Sequence, residues 1–222
     1  VGQENFMKGL ASYFKKHAFS NAELVDLLTE LELTSGRELR EWSKLWLETS
    51  GVNTLRAELN EDAEGNITSF SVLQSHHADY PTLRPHRLGI GYYNLVDGKV
   101  VLTHRVEIDI DGAKTEVPEL VGTKRPDLIL LNDGDLAYAK LRLDDRSWQT
   151  TLHNLAVVDD SLARALLWGA AWDSTRDAEA DPKDFIHLVL KNIATESNAT
   201  AMMTLLNQLV TCLLYTSPSP RD

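Results

Sequence analysis

Apolar residues recur every three or four positions through the first fifty residues of the chain. Phe6, Leu10, Tyr13 and Phe14 fall on one stripe with Lys8, Lys15 and Lys16 mostly off it. That spacing predicts a helix over 4–17 with its cations near the negative end of the helix dipole. Ser20 and Glu23 have the S-x-x-E spacing of a capping box, which predicts a second helix from Asn21 to about Leu33. Ser35 and Glu38 repeat the device for a third helix reaching Ser50, with Trp42, Leu45 and Trp46 on one face. Gly51 stands where a helix C-terminus favours a left-handed residue, and Val52, Thr54 and Leu55 then supply strand formers. The stretch from Trp42 to Leu55 therefore reads as a domain junction.

Beyond Asn53 the period changes from helical to alternating. Strands are expected over 54–59, 67–74, 87–95, 99–110, 113–117, 127–131 and 136–142. In the clearest of them Leu102, His104, Val106, Ile108 and Ile110 share one face, and Thr103, Arg105, Glu107 and Asp109 the other. Asp97-Gly98, Asp111-Gly112 and Asp133-Gly134 are hairpin-type dipeptides. Seven short strands without intervening helices predict an antiparallel β-sandwich. After Arg146 the helical period returns, with Trp148, Thr151, Leu152 and Leu155 on one stripe and Ser161 to Asp173 forming the next helix. Asp181-Pro182 opens another as N-cap and first-turn proline, and Asn198 caps a last one through Met202, Leu205, Leu206 and Leu209. The expected fold is multidomain α and β: helices over 1–51, the sandwich over 52–146, and the start of an all-α array over 147–211.

Composition adds limits. With 222 residues, 43% hydrophobic and 25% charged, the chain is globular, and a net charge of -11 makes nucleic acid and anionic membrane surfaces poor partners. No apolar run approaches the roughly 20 residues that span a bilayer, and no signal-peptide pattern precedes the first helix. A single cysteine, Cys212, excludes an internal disulfide, which fits a reducing cytoplasm. Val1 in place of an initiator Met suggests a chain that begins within a gene. Leu213 to Asp222 breaks the helical pattern with Pro218 and Pro220 and resembles translated sequencing-adapter read-through, so 212–222 is expected to be a non-native tail.

Asn5-Phe6-Met7-Lys8-Gly9-Leu10, then Tyr13-Phe14, Leu24, Leu28 and Trp42 through Gly51, resemble the end of the catalytic domain of bacterial aminopeptidase N-type zinc metallopeptidases. The likeness is strongest over 4–55, weaker through the sandwich, and carried by pattern more than motif over 148–211. It implies a catalytic domain, a β-sandwich and a large helical domain that encloses the active site. Members hydrolyse the N-terminal residue from peptides, with zinc held by H-E-x-x-H and a later glutamate, G-x-M-E-N reading the amine, and a tyrosine stabilising the oxyanion. Two histidines at i, i+4 share a helix face, and the metal acidifies its bound water. None of these motifs occurs here, and Tyr13 lies on an apolar stripe. The resemblance therefore implies a fragment with no catalytic and no metal residue of its own. Its Zn²⁺ ligands lie outside this sequence, its peptide substrates belong to the intact enzyme, and it acts as a monomer in the cytoplasm. Gly51-Val52-Asn53 also lacks the proline that many relatives carry two residues after this glycine, which reads as a subgroup difference.

Other candidates have simpler readings. Adjacent His76 and His77 in an extended segment point to opposite faces and have no third ligand at suitable spacing. His104 reads as a hydrogen-bonded sheet histidine and His17 as a dipole partner at a helix C-terminus. Asp109 with Asp111, and Asp133 with Asp135, imitate Ca²⁺-loop spacing but are explained by turns. Ser161 and His153 lack a nucleophile-elbow context. Trp42 and Trp46 are expected to form core between the helical unit and the sandwich, and Trp168 and Trp172 to pack in the helical array. Asn66-Ile67-Thr68 and Asn198-Ala199-Thr200 match the glycosylation sequon by chance. A second reading from pattern alone is a non-catalytic module whose sandwich and helices present a surface to a partner. An H-E-x-x-H upstream of Val1 favours the enzyme, and a start codon close to Val1 favours the module.

Overall fold

A computed structural model of the chain describes residues 1–196 and 198–216, so the reading of Pro218 and Pro220 as helix breakers lies outside the described residues. The chain forms two compact units, Val1–Gly51 and Val52–Asp222. The first contains α1 (Gln3–Lys16), α2 (Leu24–Ser35) and α3 (Arg40–Leu47). Gly9 lets α1 approach α2: a Cβ there would lie 2.8 Å from both Leu31 Cδ2 and Thr34 Oγ1. Between these helices the buried Glu30 accepts from Ser12 Oγ (2.6 Å) and Lys16 Nζ (2.9 Å). The Ser12 hydroxyl, followed by the Lys16 ammonium, holds its carboxyl below the usual carboxylate range.

Both expected capping boxes are corrected. Ser20 donates to the His17 carbonyl (3.1 Å) instead of capping α2, and Glu23 is the N-cap, in a reciprocal pair with Asp26. Ser35 is the last residue of α2 and donates to Leu31 O (2.6 Å), while Leu39 precedes α3 without a side-chain cap. The helix ends at Leu47, so Gly51, with φ +94°, is not its cap.

Among the described residues the second unit holds seven strands in two sheets: β1 (Thr54–Glu61), β2 (Ile67–Ser75), β3 (His86–Val96), β4 (Lys99–Ile110), β5 (Lys114–Glu116), β6 (Leu128–Asp133) and β7 (Lys140–Arg142). One sheet has the order β5-β2-β1-β7 and the other β4-β3-β6. The expectation of a purely antiparallel sandwich is corrected, because β7 pairs with β1 in parallel, Leu55 opposite Leu141 and Arg56 opposite Arg142. Only three residues of the expected 136–142 strand are extended in the sheet. Asn132 binds both backbone groups of Ala137 through its side chain and holds the preceding segment in a loop.

Two bulges decide which side chains face where. Tyr92 pairs with His104 but Tyr93 with Leu102, so Thr103 is an extra residue. This moves Leu102 to the face of Tyr93, where it is 45% exposed, and overturns the single-face reading of Leu102 through Ile110. His104, expected among core residues, is exposed on the edge strand with its ring against Tyr92. In β6 the extra residue is Asn132, at φ +57°. The slip turns Asp133 onto the face of Gly89 and Gly91.

Helices α4 (Asp145–Asn154), α5 (Ser161–Arg176), α6 (Pro182–Asn192) and α7 (Ala199–Thr216) follow the strands. Asp144, Asp160 and Asp181 cap the first three, and Asn198 Oδ1 accepts from Ala201 N at the start of α7. Ser147 ties α4 to the sheet by accepting from Ile129 N (2.8 Å) while donating to Asp144 (2.6 Å). The sheets and these helices share one core that runs from Leu55, Val72, Leu88 and Leu130 through Leu155, Leu167, Phe185 and Val189. Each such side chain contributes about 1.5–3 kcal/mol of burial. α7 continues to Thr216 with Leu205, Leu209 and Cys212 buried, so the helical pattern does not break at Leu213. Burial raises the Cys212 thiol above its ordinary pKa.

Candidate functional site

A cleft of about 600 Å³ within the second unit lies over one face of the four-stranded sheet. Strand alternation builds its floor. Leu55 and Leu141 turn into the core, so Thr54 and Arg56 on β1, Lys140 and Arg142 on β7, and Leu73 and Ser75 on β2 share the opposite face. Arg56 and Arg142 are directly paired, and like charges in that relation repel. Asp177 and Glu179, from the connector between α5 and α6, resolve the repulsion. Arg142 donates to Asp177 Oδ2 (2.5 Å) and Glu179 Oε1 (2.9 Å), Lys140 to Asp177 Oδ2 (2.5 Å), and Arg56 to Glu179 Oε2 (2.6 Å).

The Arg142 side chain is only 3% exposed and the Glu179 side chain 42%, so the network grades from buried to wet. Burial works to raise the Asp177 carboxyl, but Lys140 and Arg142 outweigh it and hold that group below its usual range. Arg142 and Arg56 do the same for Glu179 against the same burial. A smaller cleft of about 260 Å³, lined by Leu143, Trp148, Ser174 and Asp184, shares Arg56, Arg142 and Glu179 with the first.

A second polar constellation sits on the β4-β3-β6 sheet. The buried Tyr93 donates to Asp133 Oδ1 (2.5 Å), and Arg105 donates to Asp133 Oδ2 (2.8 Å), to its carbonyl (3.1 Å) and to Glu107 (2.6 Å). Burial and then the Asp133 carboxylate push the Tyr93 hydroxyl well above its usual range. Asp133, expected to be a turn residue, is thus the buried centre of an ion pair, because the Asn132 bulge aims it at Arg105.

The other candidates are dispersed. His76 and His77 reach the rim of the larger cleft, where His76 Nδ1 lies 3.0 Å from His77 O and Asp79 N donates to His77 (3.2 Å). Asp109 pairs with Arg87, Asp111 closes a turn with Thr115, and Asp135 accepts from Asn132. His153 contacts Gln149 O in α4, and Ser161 opens α5. His17 follows α1, stacks on Tyr13 and lies 4.0 Å from Asp26. Trp42, expected in a core, is 44% exposed and packs on Trp46 at 6.3 Å. Trp168 is buried and Trp172 packs on Phe185, as expected for helical core. Among the described residues no three His, Cys, Asp or Glu side chains are grouped to hold a metal, and no helix is long and apolar enough to cross a membrane.

Pattern reading missed the cleft network. Its signals were Lys140-Leu141-Arg142, which puts two cations on one strand face, and Asp177-Ala178-Glu179 after a helix. Neither announces that the two segments meet, because 35 or more residues separate them.

Comparison with known proteins places these features. Residues 128–221 match the family described as ERAP1-like C-terminal domain. Aminopeptidase N of Streptomyces lividans is 49% identical over 230 aligned residues, covering 100% of this chain and 27% of that protein. The mitochondrial aminopeptidase 2 of Saccharomyces cerevisiae is 31% identical over 110 residues, 47% of this chain and 11% of its own length. A solved structure, Legionella pneumophila aminopeptidase A in complex with aspartic acid, superposes over 99% of this chain and 26% of that one with a TM-score of 0.58 at 17% identity, a likeness of fold. The chain thus spans about a quarter of the Streptomyces relative, and along its own whole length it matches a part of an aminopeptidase N.

Proposed function

We propose that this chain is the central part of a zinc-dependent aminopeptidase that removes N-terminal amino acids from peptides. On this reading residues 1–51 close the catalytic domain, 52–146 form the sandwich and 147–211 begin the enclosing helical domain. The 49% identity to an aminopeptidase N along the entire chain is the observation that carries it. On this reading the zinc ligands lie outside this sequence, which carries no H-E-x-x-H of its own. The chain therefore contributes scaffold, and the water-activating metal belongs to residues outside this sequence.

What these residues do physically is hold the helices against the sheet. Apolar packing does so along β6, α4 and α5, and the Arg142 network does so at the far edge. The intact enzyme is read as a cytoplasmic monomer acting on peptides. The test uses the purified 222-residue chain with aminoacyl-anilide substrates and added zinc. No turnover is expected. The complete reading frame, carrying H-E-x-x-H upstream of Val1, is expected to release the anilide and to lose that activity to a chelator. Zinc-dependent turnover by the 222-residue chain would overturn the assignment of its residues to a scaffold. A complete frame without the motif would overturn the enzyme.

A further inference from the structure

The two clefts that flank the Arg142 network are separated by that network itself. Arg56, Arg142 and Glu179 line both, so the ion pairs are the partition between a space of about 600 Å³ and one of about 260 Å³. The segment that carries the carboxylates is strained. Ala178 holds φ +61°, a left-handed conformation that an L side chain disfavours. Four backbone bonds close the turn: Asp177 N to Asp173 O, Ala178 N to Thr175 O, and Glu179 N and Ala180 N to Ser174 O. No large apolar side chain belongs to this connector; its residues are Asp177, Ala178, Glu179 and Ala180.

The charges on the sheet supply the complement. Arg56 and Arg142 are forced together by the β1–β7 register, and the connector's carboxylates are what make that pairing tolerable. Glu179 bridges the two guanidinium groups, one nearly buried and one 49% exposed. The apolar core that joins α5 to β6 lies elsewhere and does not depend on these contacts. A strained, charged segment held by partly wet ion pairs beside a solid core is a local opening unit.

We propose that residues 177–180 form an electrostatic gate: Glu179 releases Arg56 and Arg142, Asp177 releases Arg142 and Lys140, the connector lifts, and the two clefts join into one groove while the core stays folded. The proposal does not rest on the enzymatic reading above.

Hydrogen exchange on the 222-residue chain tests it, with the amides of 177–180 read against those of Ile90 and Tyr92 in β3. Raising salt from about 0.01 M to about 1 M shortens the screening length from about 30 Å to about 3 Å. Exchange at 177–180 is then expected to rise at least about threefold while β3 is unchanged. Glu179→Gln, which leaves the Asp177 pairs with Lys140 and Arg142 in place, is expected to give part of that rise at low salt and to reduce the salt dependence. Arg56→Gln, which removes a single exposed pair, should give a smaller rise. Exchange at 177–180 that ignores both salt and Glu179→Gln would overturn the gate. So would a rise shared equally by β3, which reports global unfolding instead of local opening.

Discussion

Gly89, Gly91 and Gly169 are chemically the same residue in three different situations. A Cβ at Gly91 would lie 2.8 Å from the Tyr93 ring and 2.9 Å from Asp133 Cγ, and one at Gly89 2.5 Å from the Asp133 carbonyl. Both are needed so that Arg105 and Asp133 can lie across β3. Gly91→Ala should therefore cost more than about 2 kcal/mol in denaturant unfolding, through overpacking against a fixed ion pair. Gly169, in the middle of α5, has nothing within 4 Å of its Cβ position, and Gly169→Ala should stabilise by about 1 kcal/mol. His86 makes a pH prediction. It is buried against Gln74 Oε1 (2.9 Å), and burial, with Arg84 second, lowers its pKa from 6.5 to about 4. The unfolded chain then binds the extra proton first, so the stability from neutral His86 is present above about pH 6.5 and lost as pH falls toward 4. Of this loss, up to about 3 kcal/mol, most should disappear in His86→Gln when unfolding is compared at pH 7 and pH 4.5.

At the level of elements, signals carried by a residue and its immediate neighbours could be read directly. Asp181-Pro182 and Asn198 start helices where expected because a cap needs only the next three residues. Ser20 and Ser35 had the same spacing and failed. Glu23 with Asp26 offered a competing box, and α2 ran on through Ser35. Spacing cannot rank two nearby boxes, since the outcome depends on how α2 packs on α1. The bulges at Thr103 and Asn132 were not legible either, because each is fixed by the partner strand's register. That is why Asp133 looked like a turn residue and its pairing with Tyr93 and Arg105 went unseen. Asp144 is the cap that matters most here. It accepts from Arg146 N and Ser147 N, from Ser147 Oγ, and from Arg125 at 2.6 Å. Asp144→Ala should cost about 2 kcal/mol, the upper end for an N-cap, and loosen the amides of α4 first in hydrogen exchange.

For the molecule as a whole, the change from alternating to helical pattern near Arg146 suggests two cores, yet the side chains on either side of it pack into one. Leu167 and Phe185, from α5 and α6, are fully buried in the same cluster as Leu88, Ile90 and Leu130 of the β4-β3-β6 sheet. The bridge between Val100 and Val158 and the Ser147 contact with Ile129 add backbone ties between strands and helices. Energy lost in the helices must then be felt in the strands, because removing one side of a shared core leaves the other side facing a cavity. Leu167→Ala removes three carbons from a site with no exposure and should cost about 3 kcal/mol. If the second unit is one cooperative body, hydrogen exchange at the slowest amides of β3 should accelerate by the factor that this loss dictates, roughly a hundredfold, in step with those of α5. Acceleration confined to α5 and α6, with β3 left at its original rate, would mean that the helices form a separately folding layer on an independent sandwich.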